Sequence, residues 1–180
     1  MTTDVPGLFL EKDFLTSEEE QSLLKNIDVS PWKPNRRGDR RVQIYGPYHD
    51  EHYNIIPGKY SAHPEWLQTL AKKVHATTDD PQRDKLLDPK QCEVYINEYN
   101  PVNDLQYHYD SNTTFDEHIY GISLNTDAHM GFKKKKKNKI LVPARSMYVM
   151  SGNSRTQYKH GIDKGWITGR RVSVTFRTVV

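Results

Sequence analysis

The chain has 180 residues, the length of one ordinary domain with a single hydrophobic core. Its mean hydropathy is low at −0.85, but eleven tyrosines and three tryptophans supply large burial per residue. The lone Cys92 excludes an internal disulfide. No apolar run could span a bilayer and no apolar leader follows Met1, so we expect an intracellular protein, cytoplasmic or nuclear. A net charge of +3 is mild, so recognition of a polyanion would depend on local basic clusters.

Two amphipathic helices are predicted in the first half of the chain. Overlapping capping boxes begin at Thr16 and Ser17, and apolar residues at helical spacing continue to about Ile27. Pro64 starts a second helix that ends near His75, and the residues predicted on its buried side are Trp66, Leu67, Leu70 and Val74. Both helices are interpreted as scaffold.

The second half of the chain is rich in predicted strands. A polar loop over residues 76–91 leads into a strand at 93–99, and further strands are predicted at 119–124, 130–132, 140–142, 146–150 and 172–179. Short strands that follow two helices predict an α+β fold, an antiparallel sandwich or barrel with N-terminal helices packed on one sheet.

Two stretches carry side chains suited to metal binding. Alternation puts Tyr95, Asn97 and Tyr99 on one face of their strand, and a little further on His108 and Asp110 stand two apart on an extended chain. Two side chains so spaced point the same way and can hold one metal ion, with a third ligand needed from elsewhere. His160 would complete two histidines and a carboxylate, the facial triad of non-haem iron oxygenases.

A late strand supplies a second cluster. Alternation places Arg171, Ser173, Thr175 and Arg177 on one face, where two arginines can clamp a dicarboxylate or a phosphate. Each pattern is common alone, since an isolated histidine is usually a satisfied surface or core residue and an arginine-bearing strand is usually a solvent-facing edge. Their joint occurrence, in this order, favours a site.

Basic residues concentrate in two segments. Residues 36–41 contain four arginines followed by aromatic residues, which suits phosphate pairing and base stacking, although a solvated hairpin explains this segment alone more simply. Residues 133–139 contain six lysines between two predicted strands, a pattern typical of a solvated hairpin tip.

These motifs resemble the AlkB family of Fe(II)/2-oxoglutarate dioxygenases over nearly the whole chain. The specific matches are Asn97-x-Tyr99, His108-x-Asp110, His160 and Arg171-x-Ser173-x-Thr175-x-Arg177. A nearer likeness, to the branch that hydroxylates a modified wobble uridine in tRNA, includes Arg41-Val42-Gln43-x-Tyr45-Gly46 and Met150-x-Gly152-x-Ser154-Arg155.

The resemblance implies a double-stranded β-helix, or jelly roll, that holds Fe(II) through His108, Asp110 and His160 and uses 2-oxoglutarate and O2. Arg171 with Tyr99 would bind the distal carboxylate of 2-oxoglutarate, and Arg177 with Asn97 would lie at its metal-chelating end. Ser173 and Thr175 complete that face. One domain over residues 1–180 is expected, with a helical layer and nucleotide-recognition lid in 1–90 and the catalytic jelly roll in 91–180.

The implied substrate is a modified or alkylated base in RNA or DNA, with RNA favoured, and the candidate contacts are Arg37, Arg40, Arg41, Tyr45 and Asn112. Two departures from the repair enzymes stand out. Ser173 replaces an asparagine, and Asn112 replaces an acidic residue that contacts the substrate, which weakens the case for direct adenine or cytosine demethylation. Both demethylation and stable hydroxylation are compatible with the sequence. The need for a protein partner and the oligomeric state stay open.

Two alternatives remain at this point. The same chemistry could act on a protein side chain or a small metabolite, in which case oligonucleotides would not stimulate turnover. A barrel that only binds nucleic acid would take up no iron and would decarboxylate no 2-oxoglutarate. This second alternative leaves the joint occurrence of the triad and the arginine strand unexplained.

Overall fold

The computed structural model describes residues 3–52 and 54–180. In chain order the named elements are β1 (Leu8–Glu11), α1 (Ser17–Val29), β2 (Lys33–Pro34), β3 (Arg41–His49), β4 (Ile55–Ser61), α2 (Glu65–Thr77), β5 (Cys92–Tyr99), β6 (Leu105–His108), β7 (Phe115–Leu124), β8 (Ala128–Lys133), β9 (Lys137–Val142), β10 (Met147–Met150), α3 (Gly152–Thr156), β11 (Lys159–Ile162) and β12 (Arg171–Val179). None of the described helices is long and apolar enough to cross a membrane.

The strands form two antiparallel sheets. The larger sheet runs β1-β10-β7-β12-β5-β3-β2, with β4 paired to β3, and the smaller sheet runs β6-β11-β8-β9. One core packs α1 and α2 against the larger sheet, and a second core fills the space between the two sheets. This is the predicted α+β jelly roll with its N-terminal helices on one sheet.

Both predicted helices are confirmed. Thr16 caps α1, since its Oγ1 accepts from the Glu19 amide at 3.1 Å while the Glu19 carboxylate accepts from the Thr16 amide at 2.8 Å. The second predicted capping box does not form, because Glu20 instead accepts from the Asn125 amide at 2.7 Å. In α2, Ala71 joins the predicted buried residues and Trp66 is only half-buried.

Several elements were not predicted, namely β2, β4, α3, β11 and a 3-10 helix. The loop expected over residues 76–91 contains a 3-10 helix at Arg83–Leu87. Its Leu86 is completely buried, whereas the adjacent Leu87 is 44% exposed. A single buried leucine produces no periodic pattern, so this turn could not be found from the sequence.

The alternation predicted for β5 and β12 is confirmed, and it is what builds the site. Antiparallel pairing sets Tyr99 opposite Arg171 and Asn97 opposite Ser173. The alternate residues of both strands point to the other face, into the core beneath α1 and α2. They are Val94, Ile96, Val172, Val174 and Phe176, and all are fully buried. The other face of the two strands is therefore free to line a cavity between the sheets.

Candidate active site

Two histidines and one aspartate meet at the edge of the smaller sheet. His108 ends β6 and lies directly opposite His160 of β11, and Asp110 follows two residues after His108. One ligand atom from each of the three lies within 4.8 Å of the others. The His160 Nε2 is 3.4 Å from the Asp110 carboxylate, and the two imidazole centroids are 4.3 Å apart. Two imidazoles and a carboxylate in this arrangement match the donor set that Fe(II) takes in non-haem oxygenases.

The local contacts keep these donors in a state suited to a metal. His108 donates its Nδ1–H to the Gln106 carbonyl at 2.7 Å, which leaves Nε2 as the lone-pair nitrogen. Burial disfavours the charged form of Asp110, but Arg177, His160 and His108 together lower the pKa of Asp110 to about 2. Burial also lowers the pKa of His160 to about 4. At neutral pH the site therefore offers an anionic carboxylate and a neutral imidazole.

A cavity of about 260 Å³ opens beside the three donors. The predicted residues of β5 and β12 line it, and Met130, Tyr148 and Ile162 add apolar walls. Arg171 lines this cavity and is only 1% exposed. It donates its Nε–H to the Ser123 hydroxyl at 2.9 Å, and its guanidinium carbon lies 5.4 Å from the Tyr99 ring centroid. Its Nη2 is buried without a hydrogen-bond partner among the described residues. A buried cation with an unused donor is costly unless an anion occupies the cavity, which fits a carboxylate there.

Arg177 contacts the aspartate of the triad directly. Its guanidinium donates to the Asp110 carboxylate at 2.7 Å and also pairs with Glu93. Although its burial opposes the charge, these two carboxylates raise the pKa of Arg177. Asn97, which is expected at the same end of 2-oxoglutarate, accepts from the Arg40 Nε at 3.2 Å. Arg177 therefore orients the aspartate of the triad, while both residues still line the cavity.

Arg40, expected at the nucleic-acid surface, reaches into the cavity. It donates from Nη1 to the Asp104 carbonyl at 2.8 Å, and its guanidinium carbon lies 4.9 Å from the Tyr99 ring centroid. Tyr99 is thus contacted by two guanidinium groups, that of Arg40 and that of Arg171. Arg40 links the segment before β3 to the cavity.

An open groove of about 910 Å³ lies next to the cavity and shares four residues with it, Tyr95, His108, Asp110 and Arg177. Charged, aromatic and hydroxyl side chains line the rest of the groove, among them Lys33, Arg36, Asp50, Glu93, Tyr48, His49, Tyr109, Ser111 and Thr113. All three candidate metal ligands line the cavity, and two of them, His108 and Asp110, also line the larger groove.

Of the remaining candidate contacts, two lie near this groove. Arg37 is half exposed and pairs with Asp39 at 3.1 Å and Asp104 at 3.2 Å. Asn112 is exposed in the turn between the groove residues Ser111 and Thr113.

Arg41 and Tyr45 are not brought to the groove. Because β3 alternates, Val42 and Ile44 line the groove while Arg41 and Tyr45 face the other way. Arg41 makes a bidentate ion pair with Glu98 at 2.7 and 2.8 Å. Tyr45 packs edge-on against Trp66 in the helical core.

The sequence analysis assigned no role to Glu93 or to Arg155, although Arg155 belongs to a quoted motif. Glu93 extends the alternation of Tyr95 by one step, lies opposite Arg177, and also pairs with His49 at 2.5 Å. Its place in that alternation was a usable signal. Arg155 is buried and donates to the carbonyls of residues 110, 111, 115 and 116, at 3.3, 2.9, 3.0 and 3.2 Å respectively. No sequence pattern indicates a guanidinium that binds backbone carbonyls of a distant loop.

Comparison with known proteins defines the class of this protein. Residues 28–177 match the family described as the 2OG-Fe(II) oxygenase superfamily, and the chain belongs to that family. It is therefore an oxidoreductase, a dioxygenase that uses Fe(II), 2-oxoglutarate and O2, as the motifs predicted. The residues of the cavity and the triad suit those cofactors.

Individual relatives indicate which members of this family the chain is similar to. Uncharacterized protein L905 of Acanthamoeba polyphaga mimivirus is 32% identical over 189 residues, which cover 97% of this chain and 85% of that protein. The tRNA (carboxymethyluridine(34)-5-O)-methyltransferase ALKBH8 of Macaca fascicularis is 28% identical over 170 residues, 87% of this chain but 24% of that protein. The solved structure of OsALKBH1 superposes with a TM-score of 0.71 at 16% identity and covers 96% of this chain and 97% of that one. The relatives thus include AlkB-family proteins, as predicted, and this chain spans about a quarter of the macaque relative.

Proposed function

We propose that this dioxygenase oxidises a modified or alkylated base in nucleic acid, with RNA favoured over DNA, and that His108, Asp110 and His160 hold its iron. The observation that carries the proposal is the position of these three donors, beside a cavity that contains an arginine with an unused donor and next to a larger groove that carries Lys33, Arg36 and exposed tyrosines. Residues 1–90 would supply the helical layer and the lid over the base, and residues 91–180 the catalytic jelly roll.

The cavity would take 2-oxoglutarate. Arg171 has a free donor at the buried end, so it would bind the distal carboxylate, with Tyr99 packed beside it. Ser173 and Thr175 line the wall between Arg171 and the triad, and Arg40 covers Tyr99 from the outside. The ketoacid end would then reach the iron. When bound there, Fe(II) together with 2-oxoglutarate and O2 supplies the oxidising power for a substrate C–H bond.

The protein groups around the triad act mainly by positioning. Arg177 fixes the Asp110 carboxylate and keeps it anionic, and Glu93 holds Arg177 in turn. Arg155 binds the backbone carbonyls of the segment that follows Asp110, so one buried guanidinium orders both a metal ligand and the adjoining groove wall. A base held in the groove would present its alkyl carbon to the metal at the residues shared by groove and cavity.

Two basic side chains and several aromatic rings in the groove support a nucleic-acid substrate. Arg36 and Lys33 can pair with phosphates, and Tyr48 and Tyr109 are nearly half exposed and offer stacking surfaces for bases. The macaque relative is named for a modified uridine in tRNA, which supports RNA ahead of DNA and the wobble-uridine branch in particular. If the oxidised carbon is an N-methyl group the product loses formaldehyde, and if it is a side-chain methylene the alcohol remains.

A turnover assay with candidate substrates tests this proposal. The enzyme is loaded with Fe(II) anaerobically and then exposed to air with 2-oxoglutarate and with methylated DNA oligomers, methylated RNA oligomers or total tRNA. We expect succinate formation to be stimulated by RNA, and mass spectrometry to find a nucleoside that has lost a methylene or gained an oxygen. The matched control is the same reaction with His108→Ala.

Other outcomes would contradict the proposal in distinct ways. Decarboxylation that no nucleic acid stimulates would keep the oxygenase but redirect the search to protein side chains and small metabolites. Stimulation by DNA and never by RNA would overturn the preference for RNA. Iron-loaded enzyme that forms no succinate at all would leave only a nucleic-acid-binding barrel.

A further inference from the structure

The hairpin formed by β8 and β9 lies outside the proposed site but carries the densest charge of the chain. Six lysines fall within residues 133–139, and residues 128–145 contain no acidic side chain. Lys133 and Lys137 face each other across the hairpin, and the exposed tip lies between them. In the described part of the chain, the six lysines make one ion pair, from Lys137 to Asp163 at 2.6 Å. The positive charge is therefore concentrated and hardly neutralised.

Aromatic rings lie beneath several of these lysines. The distances from ammonium nitrogen to ring centroid are 4.9 Å for Lys137 to Tyr107, 5.5 Å for Lys137 to Trp166, 4.9 Å for Lys139 to Trp166 and 5.9 Å for Lys134 to Tyr158. The rings hold the lysine stems along the surface, which lowers the entropy lost when an anion binds the ammonium groups. A hairpin tip that only had to remain solvated would need no such support.

The charged region continues toward the groove. Lys159 on β11 lies opposite Lys133, and its ammonium is 5.8 Å from the ring centroid of Tyr109. Tyr109 stands between His108 and Asp110, is 46% exposed and lines the groove. We call the seven residues of this continuous region the lysine surface, and they are Lys133, Lys134, Lys135, Lys136, Lys137, Lys139 and Lys159.

We propose that the lysine surface binds the phosphate backbone of the nucleic acid next to the base that enters the groove. This inference rests on the proposed function, and it adds a second contact region on the smaller sheet. Lysine ammonium groups are point charges without a fixed fork, so they suit phosphate contacts that do not read sequence. Each such contact releases a counterion, so the lysine surface should contribute directly to the salt dependence of binding.

The test compares two charge-matched double variants. The first, Lys135→Gln with Lys136→Gln, removes two charges at the hairpin tip, and the control, Lys25→Gln with Lys72→Gln, removes two exposed charges on α1 and α2. Binding of a fluorescently labelled single-stranded RNA of about 20 nucleotides is measured by anisotropy over a range of salt concentrations. We expect the slope of log Kd against log salt to fall by about 1.4 in the hairpin variant, about 0.7 for each lost contact, and to stay at the wild-type value in the control.

Several results would overturn the inference. These are a wild-type slope in the hairpin variant, equal changes in both variants, or wild-type protein that binds no RNA. A hairpin variant that loses binding to phosphatidylserine vesicles while it keeps RNA binding would assign the lysine surface to a membrane instead. Anisotropy needs no turnover, whereas the proposed function is judged by nucleoside mass spectrometry, so the two proposals can fail separately.

Discussion

The cavity and the groove share four residues at the triad but are built in different ways. The cavity is lined by one face of two central, paired strands, and its arginine, Arg171, is buried with an unused donor. The groove is lined by β3, by loops and by the ends of neighbouring strands, and near it the half-exposed Arg37 already has two carboxylate partners. The cofactor cavity thus depends mainly on strand pairing, while the substrate side depends more on loops.

This difference predicts how the two regions respond to mutation. Removing a buried charged group that binds an anion costs more than removing an exposed one, because the exposed group was already solvated and screened. Changes at the triad and in the cavity should therefore have large effects on catalysis. Changes around the groove should have smaller effects that depend on salt.

The largest effect is expected for His108→Ala. The substitution removes one of three metal ligands, so iron content should fall sharply and succinate formation should drop by about 100-fold or more, beyond the loss typical of residues that only support a ligand. His108 is partly exposed at the end of a strand, so the thermal midpoint should change little. Iron is measured by atomic absorption and turnover by succinate release. Full activity with bound iron would remove His108 from the metal site.

The second largest effect, on the KM for 2-oxoglutarate, is expected for Arg171→Gln. Losing charge-assisted hydrogen bonds of about 1.5–3 kcal/mol should raise the KM for 2-oxoglutarate by about 10-fold to 100-fold, with a smaller change in kcat. The matched control is Arg170→Gln, which alters the neighbouring arginine, whose guanidinium pairs with Glu98 and Asp28. Steady-state kinetics against 2-oxoglutarate distinguish the two. Equal KM values for both variants would contradict the assignment of Arg171.

The same difference between cavity and groove explains which site residues could be predicted from the sequence. Strand alternation alone placed Asn97 with Tyr99 on one face of their strand and Arg171 with Ser173 on one face of theirs, because side chains of a strand have only two directions. The resemblance to the family then brought the two faces together. Near the groove, the direction of each arginine depends on which carboxylate or carbonyl it meets after folding. Arg41 pairs with Glu98, which is 57 positions away in the sequence, and no local pattern contains that information.

Substitutions of Arg37 and Arg40 show which of the two arginines serves the groove and which serves the cavity. Arg40→Gln should raise the KM for 2-oxoglutarate by about 3-fold to 10-fold, since it loses its hydrogen bond to Asn97 and its contact with Tyr99. Arg37→Gln should leave that KM unchanged and lower the salt slope of RNA binding by about 0.7. Kinetics and anisotropy are measured on both variants. The opposite pattern would move Arg40 to the nucleic-acid surface, as the sequence suggested.

The smallest effect is expected on stability, at Glu98. Its carboxylate is 8% exposed and binds both Arg41 and Arg170 at 2.7 Å, and the Arg41 hydrogen bond is the largest influence that lowers the pKa of Glu98. A carboxyl group whose pKa is lower in the folded state stabilises the protein above its unfolded pKa, and that contribution is lost as the pH falls through the folded value. Glu98→Gln should therefore cost about 1–2 kcal/mol at pH 7 and progressively less below about pH 4.

Thermal unfolding followed by circular dichroism, at pH 7 and at pH 3, measures this difference. Glu98 lies on the side of β5 away from the cavity, so the KM for 2-oxoglutarate should stay at its wild-type value in the same variant. A destabilisation that persists undiminished at pH 3 would mean that Glu98 contributes by packing and not by charge. A raised KM would mean that the ion pairs behind β5 influence the cavity, and the two faces of the strand could no longer be treated as independent.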